Sequence, residues 1–383
     1  MVSESLISPD QDFAIWSILI AIAAFGFWCE RTSWGRKYSG VMLLITLSII
    51  LANLRVIPTS AGAYDVVWQY LVPIAIPLLL FEANLRRIIK ESGPTLLAFM
   101  IGSAAVVAGT VIGTSLVNLG PQEAQIAGIF TGTYIGGSLN FAAVAEATNM
   151  QDSSQLAAAI AADNVITNLH FLLIILIPGI SWMARRFPTK HMENAKPVDP
   201  EPDDAPVHTI ETLDIVGLLM SLALAFAIAA TGIFFASVFN YPQFEILLIT
   251  GITVTIATIL PNSISLLSGH RETGNIMMFI FLASISASAD VWQLIEIAPI
   301  LFVFAGIIIV IHLVVLFGLG LLFRFDLAEL AMASAVGIGG PSSAPALASA
   351  KGWGNLLIPG ILAGSFGYAI GSFVGVTVAS WLS

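Results

Sequence analysis

Charge is what this chain has least of. Only 10% of its 383 residues are Asp, Glu, Lys or Arg, where a soluble domain carries roughly 25%. Ten of its 24 acidic and 14 basic residues crowd between Arg185 and Glu211, so the remainder is too poor in charge to solvate a globular surface. A lone cysteine, Cys29, excludes an internal disulfide, and the five histidines form no Cys/His cluster with zinc spacing. No basic run of the kind nucleic-acid binding needs is present. Met1 to Asp12 lacks the positive region of a cleavable signal, so the apolar segment after it is expected to be retained as a first span. No nucleophile, base and orienting group share a legible motif, so the chain is not expected to be an enzyme.

What the chain has instead is hydrocarbon: 57% of it is hydrophobic, and its mean hydropathy is +0.93. Segments of about 17 to 25 apolar residues suffice to cross a bilayer as helix. In the first half they are Phe13 to Cys29, Gly40 to Leu54, Val66 to Phe81, Pro94 to Val117, Ala124 to Ala147 and Leu156 to Met183. In the second they are Leu213 to Val238, Phe244 to Leu260, Asn275 to Ala289, Pro299 to Phe323, Leu327 to Ala350 and Leu356 to Trp381. The expected fold is an all-α polytopic membrane protein of about 12 (11 to 13) segments. Two membrane repeats, 1–183 and 211–383, are joined by a hydrophilic, proline-rich linker at 184–210.

Basic residues give orientation, with one conflict. Arg31, Arg36 and Lys37, then Arg86, Arg87 and Lys90, place the first and third loops inside. The central linker and the loops at Arg271 and Arg324 ask for the same side. Counting whole spans from Lys90 lands the linker outside, so either one segment of the first half is re-entrant or divided differently, or its basic residues mislead. Because the inside loops of the second half correspond to outside loops of the first, the repeats are expected to be inverted.

Two of the apolar segments are broken at matching places. Gly132-Thr133-Tyr134-Ile135-Gly136-Gly137-Ser138-Leu139-Asn140 interrupts one, and Gly337-Ile338-Gly339-Gly340-Pro341-Ser342-Ser343-Ala344-Pro345 the other, with the pairs Gly136-Gly137 and Gly339-Gly340 203 residues apart. A break in hydrocarbon strands backbone polar groups unless they line a cavity or hold a ligand. Thr133, Gly136, Gly137, Ser138 and Asn140, with Gly339, Gly340, Ser342 and Ser343, are therefore candidate substrate or ion ligands. Small-residue kinks packed on one another are the competing explanation.

Asp163, Asn164 and Thr167 extend this set on the following segment. Asp163, Thr167 and His170 fall at i, i+4 and i+7 of one helix, and an ionised carboxylate in hydrocarbon calls for a cation, water or a partner. Asp163 is the prime candidate for a coupling-ion site, with Asn140 as a second Na⁺ ligand. The corresponding stretch of the other half offers Ser365 and glycines but no carboxylate. Asn140 is expected to face the Asp163 segment, and Ser342 and Ser343 the Ser365 segment. Glu82 and Asn84 are weaker candidates for an access path, Asp290 weaker still, and His312 is expected to be a packing residue.

The stretches GTYIGGSLNFAAVAEA, Ala162-Asp163-Asn164 and GIGGPSSAPALASAKGW resemble the YjcL-like family of uncharacterised bacterial membrane proteins over nearly the whole chain. More distantly the chain is similar to sodium-coupled secondary transporters with inverted halves and crossed broken helices. That resemblance implies a scaffold beside a mobile core, alternating access, a bacterial inner-membrane location and a homodimer. It implies symport of a small, anionic organic solute with Na⁺ or H⁺ and no cofactor beyond Na⁺ as coupling ion. The missing double-aspartate pair argues against the familiar proton/sodium exchanger. Other readings are an ion antiporter without organic solute and a non-transporting structural or regulatory membrane protein.

Overall fold

The computed structural model describes residues 5–32, 40–150, 152–193, 214–241, 244–289 and 291–383, and these are helical throughout, without strands. Most of the 184–210 linker and the site assigned to Asp290 lie outside the described residues. The first half comprises α1 (Asp12–Arg31), α2 (Gly40–Asn53), α3 (Gly62–Leu80), α4 (Leu85–Glu91), α5 (Gly93–Leu116), α6 (Glu123–Gly136), α7 (Ser138–Ala147) and α8 (Ser153–Leu176), followed by the short α9 (Ser181–Arg186). The second comprises α10 (Ile215–Val238), α11 (Glu245–Ile259), α12 (His270–Ala287), α13 (Val291–Leu322), α14 (Leu327–Gly339), α15 (Ser343–Lys351) and α16 (Leu357–Leu382). Among the described residues seven helices are long and apolar enough to cross a membrane: α1, α3, α5, α8, α10, α13 and α16, with α11 and α14 among the shorter apolar ones.

Local chemistry sets the ends. The Asn84 side chain accepts from the Arg86 and Arg87 amides to start α4, Asp152 caps α8, Asp214 caps α10 and Asp326 caps α14. Within α3 the turn Val67–Leu71 widens to a π-helical pitch just ahead of Pro73. A proline ring cannot donate to, and clashes with, the carbonyl one turn back, and the wider turn relieves that conflict.

The helices sort into two bundles. One contains α1, α2 and α3 with α10, α11 and α12; the other contains α5 to α8 with α13 to α16. Contacts in the first bundle come in exchanged pairs: α1 packs on α12 as α10 packs on α3, and α2 on α12 as α11 on α3. Helix starts in the two halves correspond as well, Asp12 with Ile215, Glu123 with Leu327 and Ser153 with Leu357 lying 203 or 204 residues apart.

The second bundle is centred on α5 and α13, which run antiparallel with Gly102 against His312, Gly109 against Ile308 and Gly113 against Phe304. A Cβ at Gly109 would lie 3.0 Å from the Ile308 Cα and 3.1 Å from its carbonyl oxygen, both backbone atoms that cannot turn aside. Gly306, on the same pair of helices, has nothing within 4 Å of its Cβ position. Gly109→Val is therefore expected to cost about 1–3 kcal/mol by overpacking, while Gly306→Ala stabilises by up to about 1 kcal/mol through helix propensity. Thermal unfolding of the two variants in detergent checks the contrast, and equal melting temperatures would overturn this packing.

Candidate functional site

Both breaks fall where the sequence places them. Gly137 ends α6 at φ 83° and ψ −174°, and Gly340 ends α14 at φ 74° and ψ −178°. That combination is essentially confined to glycine and costs other residues about 1–3 kcal/mol. The two turns touch: a Cβ on Gly137 would be 3.3 Å from the Gly340 nitrogen and Cα, and the Tyr368 ring of α16 lies over both.

At each break the chain folds back. A Cβ on Gly132 of α6 would lie 2.8 Å from Val144 of α7, yet a continuous helix would hold these residues about 18 Å apart. In the other half Gly360 of α16 abuts both Met332 of α14 and Ala344 of α15, again twelve residues apart. His191 joins the mouth of that second hairpin, pairing with Glu329 at 3.4 Å and with Asn355 at 2.7 Å.

Around the touching turns the structure separates ligand-like residues from packing residues. A cavity of about 320 Å³ is lined by Ser138, Asp163, Asn164, Thr167, Asn168, His170, Gly339, Ser342 and Ser343. A second, of about 360 Å³, shares Ser138, Gly339 and Ser342 and adds Glu30, Glu82, Arg271, Asn275, Ser365 and Tyr368. A third, of about 500 Å³, continues past Glu82, Asn84, Arg87, His270 and Ser365. Glu82 pairs with Arg271.

Asp163 is only 6% exposed. Its Oδ1 accepts from the Thr167 hydroxyl at 3.0 Å, and none of the ion pairs found among the described residues includes it. Beside it, Asn164 and Asn168 spend their amide NH₂ groups on the carbonyls of Ile160 and Asn164, which leaves their side-chain oxygens for the cavity. The donor set around Asp163 is thus carboxylate, amide and hydroxyl oxygen, the chemistry of a hard cation.

Five of the expected ligands lie elsewhere. Gly136 is pressed against the Gly367 backbone, Gly137 and Gly340 against one another, and Thr133 is buried with its hydroxyl unpartnered. Asn140, 1% exposed, donates through Nδ2 to the Gly367 carbonyl at 3.1 Å and packs on Gly371. The expected facing is therefore exchanged: Asn140 of the first hairpin meets α16, whereas Ser342 and Ser343 of the second share the cavity with Asp163 on α8. The physical reason is the glycine seam Gly128/Gly375, Gly132/Gly371 and Gly136/Gly367, which brings α6 so close to α16 that only the Asn140 amide fits alongside.

Sequence reasoning missed Tyr368 of α16, which lies over both breaks within their own bundle, and Glu30 and Arg271, which become neighbours of the breaks only through the packing of one bundle on the other. It also missed a polar chain behind Asp163. His312, expected to be a packing residue, bonds through Nδ1 to the Gly102 carbonyl at 3.0 Å and through Nε2 to Ser334 Oγ at 2.9 Å, and His170 Nε2 meets the same hydroxyl at 2.8 Å.

Comparison with known proteins agrees with this membrane architecture without adding chemistry. The chain is 33% identical over 392 residues to "Uncharacterized membrane protein YjcL" of Bacillus subtilis (strain 168), covering 99% of each chain. Residues 17–383 match the family described as "Protein of unknown function (DUF819)". With that match spanning all but the first sixteen residues, this multi-pass membrane protein belongs to the DUF819 family.

Proposed function

We propose that the protein is a secondary active transporter that moves a small organic anion together with Na⁺ by alternating access. The observation that carries this reading is the convergence of three features on one cavity: the buried Asp163 and the N-terminal turns of α7 at Ser138 and of α15 at Ser342–Ser343. Helix N-termini present partial positive charge and free amides to an anion, and the oxygen donors around Asp163 suit a cation. Opposite charges bound side by side favour one another, and that mutual preference is what couples two fluxes.

The reading includes an inverted repeat whose hairpins each enter and leave the membrane on one side. Leu6 and Ile7, just before α1, bond to Arg55 and Val56 after α2, and Asn53 approaches Ala289 at the end of α12. At the opposite end His270 bonds to Leu78, Leu85 to Thr258 and Ser268 to Asp214. Leu327 bonds there to Pro188, so α8 and α13 finish on the side where α10 begins. Five crossings and one re-entrant hairpin per half, ten crossings in total, make α10 start opposite α1. The odd number removes the parity conflict that twelve whole spans create. It also gathers Arg31, Arg86, Arg87, Lys90, Arg185, Arg186, Arg271 and Arg324 at one end, leaving Arg55 at the other, which makes the Arg271 end cytoplasmic. The α1–α3/α10–α12 bundle is then the scaffold, and the hairpin-bearing bundle is the moving part.

Reconstituted vesicles test the function. With an inward Na⁺ gradient, members of a panel of small radiolabelled carboxylates are expected to accumulate above protein-free controls. Acidification or alkalinisation driven by Na⁺ without any solute would replace symport by antiport. No movement of solute or proton would leave the breaks as packing kinks.

A further inference from the structure

The described start of the linker is fastened to the second hairpin. The buried Phe187 ring packs edge-on against Phe317 of α13, with 6.2 Å between ring centres. Pro188 accepts from the Leu327 amide at 2.9 Å, and the His191 amide donates to Asp326 Oδ2 at 3.3 Å, so the start of α14 is held twice. The His191 ring then reaches across the hairpin mouth, from Glu329 of α14 to Asn355 in the connection between α15 and α16. Asn355 fixes the polarity of that bridge, because its Nδ2 can only donate. His191 Nδ1 is therefore the acceptor, and the ring proton sits on Nε2, facing Glu329 Oε1. The bridge is particular to this half. The residues 203 positions before Asp326 and Asn355 are Glu123 and Asp152, and these are engaged within their own limbs, with the Leu119 amide and with the Ser154 and Gln155 amides. The position matching Glu329 is held by the buried Ile126. One half thus fills with isoleucine a place where the other keeps a carboxylate and brings a histidine to it from outside the repeat.

We propose that His191, Glu329 and Asn355 form a proton-controlled clasp on the mouth of the second hairpin. The His191 and Glu329 side chains are 24% and 12% exposed, so water reaches the ring. A proton taken from solvent by Nδ1 makes His191 an imidazolium, and the Glu329 carboxylate 3.4 Å away balances its charge. Asn355 is exposed, so its amide turns over and offers Oδ1 to the new Nδ1–H. Both contacts persist, and the one to Glu329 becomes charge-assisted and stronger. Neutral, the clasp is two ordinary hydrogen bonds at the solvent edge. Protonated, it ties α14 to the α15–α16 connection through an ion pair. Gly339, Ser342 and Ser343 at the tip of this hairpin line the Asp163 cavity, so acid on the clasp side stiffens one wall of that cavity.

Among the described residues the other charged groups at this mouth are few. Asp326 gives one carboxylate oxygen to the Ala328 amide and the other to the His191 amide. Lys190 and Glu193 lie on the same turn as His191, Glu193 accepting from the Thr189 hydroxyl, and Arg185 and Arg186 end α9 just before it. Arg324 precedes α14 and Lys351 ends α15. The last turn of α13 and the first turn of α16 carry no ionisable residue.

The clasp goes beyond the transport reading, which supplies only the side it faces, the cytoplasm. Hydrogen–deuterium exchange of the full chain in lipid nanodiscs tests it at pH 6 and pH 8. Each variant is compared with wild type at the same pH, so the intrinsic pH dependence of exchange cancels. His191→Gln keeps a neutral donor and acceptor at the bridge but cannot take up a proton. At pH 8 it is expected to exchange like wild type at 327–331 and 354–358. At pH 6 wild type is expected to exchange about two to five times more slowly there than the variant, the range of a partly exposed ion pair, while 119–126 and 149–155 of the first mouth exchange alike in both. Glu329→Gln is expected to lose the same extra protection at pH 6. A ratio of wild type to His191→Gln that is equal at the two pH values, or one that changes as much in the first mouth as in the second, would overturn the clasp. Should Glu329→Gln fail to fold, the His191→Gln comparison alone decides. A pH-dependent ratio confined to the second mouth of a protein that moves no solute would sink the transport reading and leave the clasp standing.

Discussion

Asp163→Asn is expected to make the cation-free protein more stable and to abolish its stabilisation by Na⁺. Asp163 is buried beside Thr167 with no cationic side chain paired to it among the described residues. Holding an uncompensated carboxylate in the membrane interior costs several kcal/mol. Asparagine has nearly the same shape, and its carbonyl oxygen still accepts from the Thr167 hydroxyl, so the substitution removes the charge and keeps the contact. A purely structural aspartate would behave in the opposite way, since its loss would leave the helix less stable.

The Na⁺ arm of the experiment has its own sign. A cation that binds only the folded protein stabilises it by about 2.7 kcal/mol at a hundredfold excess over its dissociation constant, enough to raise the melting temperature by several degrees. Wild-type protein in detergent should therefore melt higher in sodium chloride than in choline chloride of equal ionic strength, and Asp163→Asn should melt at one temperature in both. If the variant melts lower than the cation-free wild type and still responds to Na⁺, Asp163 is not the cation ligand.

Much of this site is legible in the sequence because its elements carry local signatures. The paired glycine breaks are one, since a turn at φ near +80° needs glycine whatever surrounds it. Asp163 is another, because a carboxylate within an apolar segment is conspicuous by cost alone. Facing is not legible. Helices that are apolar on every side have no moment to fix their rotation, so nothing in the stretch from Ser138 to Asn140 announces that Asn140 turns toward Gly367 and Ser138 toward Asp163. Ser334 is hidden for a related reason: it lies among alanines in α14, 164 residues from His170, and only the packing of α8, α13 and α14 reveals it as the atom that joins two histidines. Glu30 and Arg271 sit at helix ends, where a charge is ordinary until a second bundle closes a cavity around it.

Cysteine labelling separates the hairpin from a broken helix that runs straight through, and the expected difference is all or none. Pro121 precedes α6 and Asn149 follows α7, and both are exposed. If α6 and α7 form a re-entrant pair, Pro121→Cys and Asn149→Cys are both labelled by a membrane-impermeant maleimide added to intact cells. A straight segment would put them on opposite faces. The second hairpin makes the complementary prediction: Arg324→Cys before α14 and Gly354→Cys after α15, also exposed positions, react only once the cells are opened. The native Cys29 is buried and gives little background. The contacts that motivate this outcome are short and far apart in sequence: Gly132 with Val144, and Gly360 with both Met332 and Ala344. Split reactivity within both pairs would return the chain to twelve whole spans, and a split first pair by itself restores the parity conflict, in which Lys90 and the central linker fall on opposite faces although both are basic. Uniform reactivity within each pair leaves five crossings per half. It also leaves the Asp163 cavity between two hairpin tips that approach from opposite sides of the membrane, the arrangement in which rocking one bundle exposes the same cavity first to one face and then to the other.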